Sequence, residues 1–278
     1  MGPESIDSYL ASILACSACR GELHRNGSQL TCARCRASFS IQNGVPIFLP
    51  ERAAVAQVDH RSNPFGAEFE AILREGKEFV LHIGAGATAL RYPNCIEFEH
   101  EIFRHTDVVG DAHHLPFRDE TFDRVFAFNV FEHLREPKIA AAEIRRVLKP
   151  GGSVTIHTAF LQAVHEPPNH FYNATEFGVR EWFSKFDIEK CDVSGNFGPG
   201  LMLGFLMSSV LEAARAAGVP WREQAMIENT TLGEWAQFWA RKAEPPPGFH
   251  TLQALPQEFQ KRVSAGFELI ARKPAVRA

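Results

Sequence analysis

VLHIGAG (residues 80–86), IEFE (96–99), GDAHHLPF (110–117), FDRVFAFNVFEHL (122–134) and RRVLKPGG (145–152) follow one another along the chain, and their order decides the fold. A strand running into a Gly-rich turn, with acids at the ends of the next two strands, is the pattern of a nucleoside-type site on an open α/β sheet. Gly84 and Gly86 leave room for a ligand against the backbone, because a Cβ there would collide with it. A dinucleotide site wants a third glycine at the helix start and an acid about 20 residues on. Here Thr88 and Ala89 follow instead, and Glu99 stands thirteen positions after Gly86. The first helix is therefore expected to be short or absent. That removes the positive helix end a pyrophosphate needs, and matters less to a ligand without phosphate.

Working outward, strands are expected over residues 78–83, 95–99, 106–110, 122–128 and 153–158, with an amphipathic helix over 137–148 stopped by Lys149-Pro150-Gly151-Gly152. A helix over 175–185 precedes a sixth strand over 187–193, and 267–272 reads as a seventh. This alternation predicts a Rossmann-like α/β fold: a seven-stranded, mostly parallel sheet with helices on both faces. Residues 197–266 form an insertion far longer than a hairpin needs, with helical patterns over 200–217 and 231–243 and the loop EPPPG between that second helix and the end. A helical cap over the ligand that selects the acceptor is the expectation.

Cys16, Cys19, Cys32 and Cys35 make two Cys-x-x-Cys knuckles separated by twelve residues. That is zinc-ribbon spacing, each knuckle supplying two thiolates to one tetrahedron. Four thiolates close the coordination sphere, so the zinc is expected to be structural. Cys95 and Cys191 read as small buried hydrophobes. The organisation is then a zinc-ribbon module (1–55), a polar connector (56–77) and the α/β domain (78–278).

A 278-residue chain with 45% apolar and 22% charged residues is globular, and a net charge of -4 gives no general attraction for nucleic-acid backbones. The N-terminus has no basic n-region, and the longest apolar stretch, residues 201–211, is short of the roughly 20 residues of a membrane span. A cytoplasmic location and no transmembrane segment are expected.

The ribbon segment over roughly residues 10–51 resembles the small zinc-ribbon family that includes methyltransferase activators and ribbons fused to methyltransferases. The resemblance implies a module that steadies such an enzyme, helps present substrate, or meets a protein partner. Residues 79–158 resemble the class I S-adenosylmethionine-dependent methyltransferases, especially the bacterial group marked by D-x-x-x-LPF and LKPGG. Asp111 with Leu115-Pro116-Phe117, Glu132-His133 and Leu148–Gly152 carry the match. It implies S-adenosylmethionine lying across the carboxyl ends of the strands, with His82, Gly84, Ala85, Gly86, Glu99, Asp111, Ala112, His113 and Asn129 as its contacts. Glu99 is placed to accept both ribose hydroxyls; Glu97, on the same face, competes for that role. Asp111 is placed to accept from the adenine amine, and the Ala112 amide to serve a ring nitrogen. His82 stands where the family usually has an acid that helps hold the donor's amino group.

In-line displacement at the donor methyl relies mainly on a near-attack arrangement. A hydroxyl acceptor adds the need for a base, and His133, His165 and His170 are the candidates. The expected function is methyl transfer to a small-molecule, glycan or lipid-linked acceptor, at oxygen. The alternatives are an RNA methyltransferase guided by the ribbon, which the acidic balance disfavours, and a weakly active scaffold that binds the methyl donor and activates a partner enzyme.

Overall fold

The computed structural model describes residues 8–49, 65–241, 243–263 and 265. They fall into two compact units, one formed by Met1–Phe160 with Phe171–Asp192, the other by Leu161–His170 with Val193–Ala278.

The first unit begins with helix α1 (Ser8–Ile13) and four short antiparallel strands, β1 (Leu23–Asn26), β2 (Gln29–Cys32), β3 (Ser38–Gln42) and β4 (Val45–Ile47). Asn43 and Gly44, both at positive φ, turn β3 into β4. Helix α2 (Ala67–Glu75) follows, lying inside the stretch expected to be a connector. Its formation has a simple cause. Phe65, Phe69, Ile72 and Leu73 recur at helical spacing and pack on Val80, Cys95 and Phe126 of the sheet. Gly76, at φ +68, ends the helix with its N–H on the Ile72 carbonyl.

The parallel core comprises β5 (Val80–Ile83), β6 (Cys95–Glu99), β7 (Val108–Val109), β8 (Phe122–Phe128) and β9 (Leu148–His157). Both faces of this sheet are covered, so every residue of β5 and β6 is buried, as parallel strands require. Helix α3 (Pro137–Val147) has Pro137 in its first turn and buries Ala140, Ala141, Ile144 and Val147 against the core. Helix α4 (Glu176–Trp182) is capped by the Thr175 hydroxyl, which accepts from the Gly178 N–H.

The strand order is β1-β2-β3-β4-β7-β6-β5-β8-β9, one sheet with nine strands among the described residues rather than the expected seven. Two causes account for the difference. The ribbon adds its own four strands at the β7 edge, where Ile47 pairs in parallel with Val109 and the Phe48 N–H donates to the Val109 carbonyl at 2.8 Å. The expected sixth strand, residues 187–193, is irregular: Phe186 and Ile188 reach the core from a loop, while the other residues of the stretch are mostly exposed. The expected seventh strand, 267–272, lies outside the described residues.

The second unit holds α5 (Pro199–Ala216), α6 (Trp221–Asn229), α7 (Leu232–Trp239), α8 (Phe249–Gln253) and α9 (Gln257–Val263). Helix α5 packs against α6 and α9, and a Thr231–Glu234 capping box opens α7. Among the described residues no helix is long and apolar enough to cross a membrane.

Candidate functional site

From β5 the chain moves outward through β6 and β7, then returns to lay β8 on the other side of β5. The carboxyl ends of β5 and β8 therefore flank the topological switch, where open α/β sheets bind ligands. Gly84 follows β5 and Asn129 follows β8, both in the left-handed region, at φ +69 and +57. Gly84 is needed there for a second reason. A Cβ would sit 2.3 Å from Cγ2 of Val130, so the absent side chain makes room for a neighbour within the fold rather than for a ligand. Gly86, at φ +64, bends the turn back so that its N–H meets Oε1 of Glu99 at 2.5 Å. Residues 84–94 contain no helix, as the spacing predicts.

Glu99 is buried, and its Oε2 accepts from the His100 N–H at 3.1 Å. Glu97 faces His82 across the β5–β6 ladder. Both are buried, at 3% and 5% exposure, and Glu97 Oε2 and His82 Nδ1 carry no hydrogen bond. Burial pushes the Glu97 carboxyl up to about 7 and the His82 imidazole down to about 3, so His82 is neutral. Phe65 and Phe128 lie against the His82 ring. The Thr88 hydroxyl bridges Glu97 Oε1 (2.7 Å) and His105 Nδ1 (2.9 Å). Asp107 accepts the Glu97 N–H at 2.9 Å and pairs with Arg91. This polar layer beneath the Gly-rich turn went unread in the sequence apart from Glu97 and His82, because Thr88 and His105 reach it only through the path of two irregular loops.

Asp111 follows β7 and caps the 3₁₀ turn Ala112–His114. Its Oδ1 accepts from the His113 backbone N–H at 2.9 Å and from His113 Nδ1 at 2.5 Å. Burial opposes its ionisation, but the His113 N–H groups prevail and hold the carboxyl below the usual range, while the Asp111 bond raises the His113 pKa. Ala85 and Ala112 are buried beside these groups.

The three candidate bases are divided between the two units. His133 belongs to the first unit, in the 3₁₀ turn Phe131–His133, its N–H on the Val130 carbonyl. His165 and His170 belong to the second unit and meet each other, rings 4.2 Å apart, with the His165 N–H donating to His170 Nδ1 at 3.2 Å. Glu132 emerges as a buried acid with no assigned part in the sequence reading. Its Oε2 accepts from the Thr158 hydroxyl at 2.9 Å, and its carbonyl takes the Phe171 N–H.

In the ribbon, the four cysteine sulfurs lie within 4.8 Å of one another, with Cys16–Cys35 at 3.6 Å and Cys19–Cys32 at 3.5 Å. A tetrahedron with metal–sulfur bonds of about 2.3 Å has sulfur–sulfur edges of about 3.8 Å, so the donor set suits zinc. Arg20, next to Cys19, reaches Glu143 of α3 at 2.7 Å, and Arg146 holds the same carboxylate together with the Leu115 and Phe117 carbonyls.

Comparison with known proteins agrees with this geometry. Residues 82–156 match the family described as "Methyltransferase domain", and residues 7–44 match the "Trm112p-like protein" family. Residues 82–156 thus carry a methyltransferase domain, and residues 7–44 a Trm112p-like ribbon. A UPF0434 protein of Methylobacillus flagellatus is 40% identical over 50 residues, 17% of this chain and 83% of that protein. A demethylmenaquinone methyltransferase of Streptomyces griseus is 45% identical over 71 residues, 26% of this chain and 30% of that protein. An uncharacterized methyltransferase of Schizosaccharomyces pombe is 40% identical over 63 residues, 23% of each chain. The chain thus spans 30% or less of the length of these curated methyltransferases.

Proposed function

We propose that the protein is an S-adenosylmethionine-dependent methyltransferase acting on a small-molecule, glycan or lipid-linked acceptor, at oxygen. The observation that carries the reading is the pairing of Glu99 with the Gly86 N–H beside the switch point, with Asp111 at the end of the next strand but one. The residues fit the donor. Glu99 offers two oxygens to the ribose hydroxyls, Asp111 Oδ2 carries no bond among the described residues, and the unpartnered His82 Nδ1 and Glu97 Oε2 give polar character beneath the turn. When bound, the donor supplies an electrophilic methyl on a sulfonium, and its displacement needs alignment more than acid–base help.

In this reading Gly84, seated against Val130, fixes the turn so that Ala85 and Gly86 lie along the donor, the Ala112 amide serves the adenine ring, and Asn129 lines the β8 side. His82, being neutral, supplies a dipole rather than a charge at the amino end. His133, His165 and His170 are the bases available to a hydroxyl acceptor. The cysteine cluster holds a structural zinc. Among relatives, those named as ubiquinone/menaquinone biosynthesis C-methyltransferases make carbon the competing acceptor atom.

Calorimetry with S-adenosylmethionine and S-adenosylhomocysteine is the test. Binding is expected for the wild type, with Glu99→Gln weakening it about tenfold or more through loss of charge-assisted bonds. Absence of binding to zinc-loaded protein would remove the proposal. Transfer of labelled methyl from the donor to extracted metabolites, lipids and RNA then identifies the acceptor class, and label confined to RNA would favour the guided RNA reading.

A further inference from the structure

Asp111 stands at the end of β7 with 45% of its side chain exposed, a position from which a carboxylate ordinarily rotates freely. Here it does not. Both hydrogen bonds from His113 end on the same oxygen, Oδ1, at 2.9 Å from the backbone N–H and 2.5 Å from Nδ1. The far side of the ring is held as well, since Nε2 accepts the Glu136 N–H at 3.2 Å, at the residue that opens α3. The tautomer follows from these partners: the proton is on Nδ1 and the lone pair on Nε2. The His113 side chain is 15% exposed, so neither contact is a surface accident. Asp111 Oδ2 is left as an acceptor with no bond among the described residues.

We infer that His113 is a positioning residue which locks the Asp111 carboxylate through Oδ1, presents Oδ2 to the exocyclic amine of the donor's base, and so sets the preference for adenine. The inference rests on the methyl-donor reading above. A carboxylate oriented during folding loses no rotational freedom on binding, so its bond to the ligand keeps its full strength. An ionised carboxylate only accepts. A base carrying a carbonyl where adenine carries its amine would therefore set acceptor against acceptor, and discrimination is large when a site built for one donor meets a ligand without it.

The experiment compares S-adenosylhomocysteine with S-inosylhomocysteine, which replaces that amine by a carbonyl, using calorimetry on the full zinc-loaded chain. Wild type is expected to prefer the adenine ligand at least tenfold. His113→Gln, whose amide sits at the Nε2 end, is expected to lose at least threefold of that preference with an unchanged unfolding midpoint, the remainder coming from the Ala112 amide facing the protonated ring nitrogen of the inosine base. His113→Asn, whose amide nitrogen takes the Nδ1 position, is expected to retain it. A merely structural role for His113 would weaken both ligands equally, leaving the ratio intact. That result, or a full preference in the glutamine variant, overturns the inference while leaving the methyl-donor reading standing. Failure of wild type to bind either ligand removes both.

Discussion

At the residue scale, two buried groups facing one another across β5 and β6 titrate in opposite senses. Glu97 is pushed up to about 7 in the folded chain, against about 4.3 unfolded. Between those values the folded state holds a proton the unfolded state has released, so this residue makes stability fall as pH rises through the window. His82 is the reverse: its folded value of about 3 lies below about 6.5 unfolded, so its contribution is fully present above about pH 6.5 and is lost as pH falls toward 3. From about pH 4.3 to 6.5 the slopes oppose. Relative to wild type, Glu97→Gln should therefore add a rising slope of up to about 1.4 kcal/mol per pH unit, and His82→Asn a falling one. Urea unfolding at several pH values in that range reads both, and parallel profiles for all three proteins would refute the pairing of opposite shifts. Gly84 gives a second residue-scale expectation. Alanine there combines left-handed strain with a contact of 2.3 Å to Val130, and should destabilise by about 2–4 kcal/mol, visible as a lowered denaturant midpoint at constant slope.

At the scale of elements, α3 is the joint between ribbon and sheet. Glu143 carries Arg20 from the knuckle and Arg146 from its own helix, and Arg146 also holds the Leu115 and Phe117 carbonyls. With Glu143 11% exposed, Glu143→Ala removes the carboxylate shared by both guanidinium groups, while Arg146 keeps Asp119 at 2.8 Å, and should lose about 2 kcal/mol. Arg20→Ala, at a third-exposed end, should lose about 1 kcal/mol or less. Equal losses would mean that the ribbon contact, not the Arg146 network, dominates. The sequence made α3 legible because Pro137 opens it and Ala140, Ala141, Ile144 and Val147 keep one face apolar. β6 and β8 were legible to the residue, since their apolar runs end at Glu99 and Asn129. Helix α2 was not, because its apolar face is short and much of its partner surface, Cys95 and Phe126, is remote in sequence. The irregular stretch at 187–193 had β-like composition but pairs with no strand among the described residues. Glu99 and Asp111 could be read from strand ends; the second bond of each carboxylate partner, from Gly86 and His113 Nδ1, depends on turn geometry that no pattern encodes.

At the scale of the whole molecule, the ribbon and the parallel sheet are one hydrogen-bonded structure, joined by Phe48 N–H to Val109, Ala15 N–H to Pro116 and Arg118 N–H to Ile13. Removing metal from the cysteine cluster should therefore do more than unfold a small appendage. Chelation is expected to lower the thermal midpoint of the whole first unit and to speed amide exchange at Phe48, Ala15 and Arg118, with one zinc per chain lost by atomic absorption. Unchanged exchange at those amides in metal-free protein would show that the sheet edge holds the ribbon without the metal.

The covalent tie between the ribbon and β7 also changes the arithmetic of assembly. Docking on this edge is intramolecular, at an effective concentration of order millimolar for a short tether. A free ribbon of the same kind would have to exceed that concentration, weighted by relative affinity, before it could displace the resident one. Below that concentration the Val109 edge keeps its own ribbon, one per chain, and an otherwise sticky parallel edge is kept from pairing with other chains.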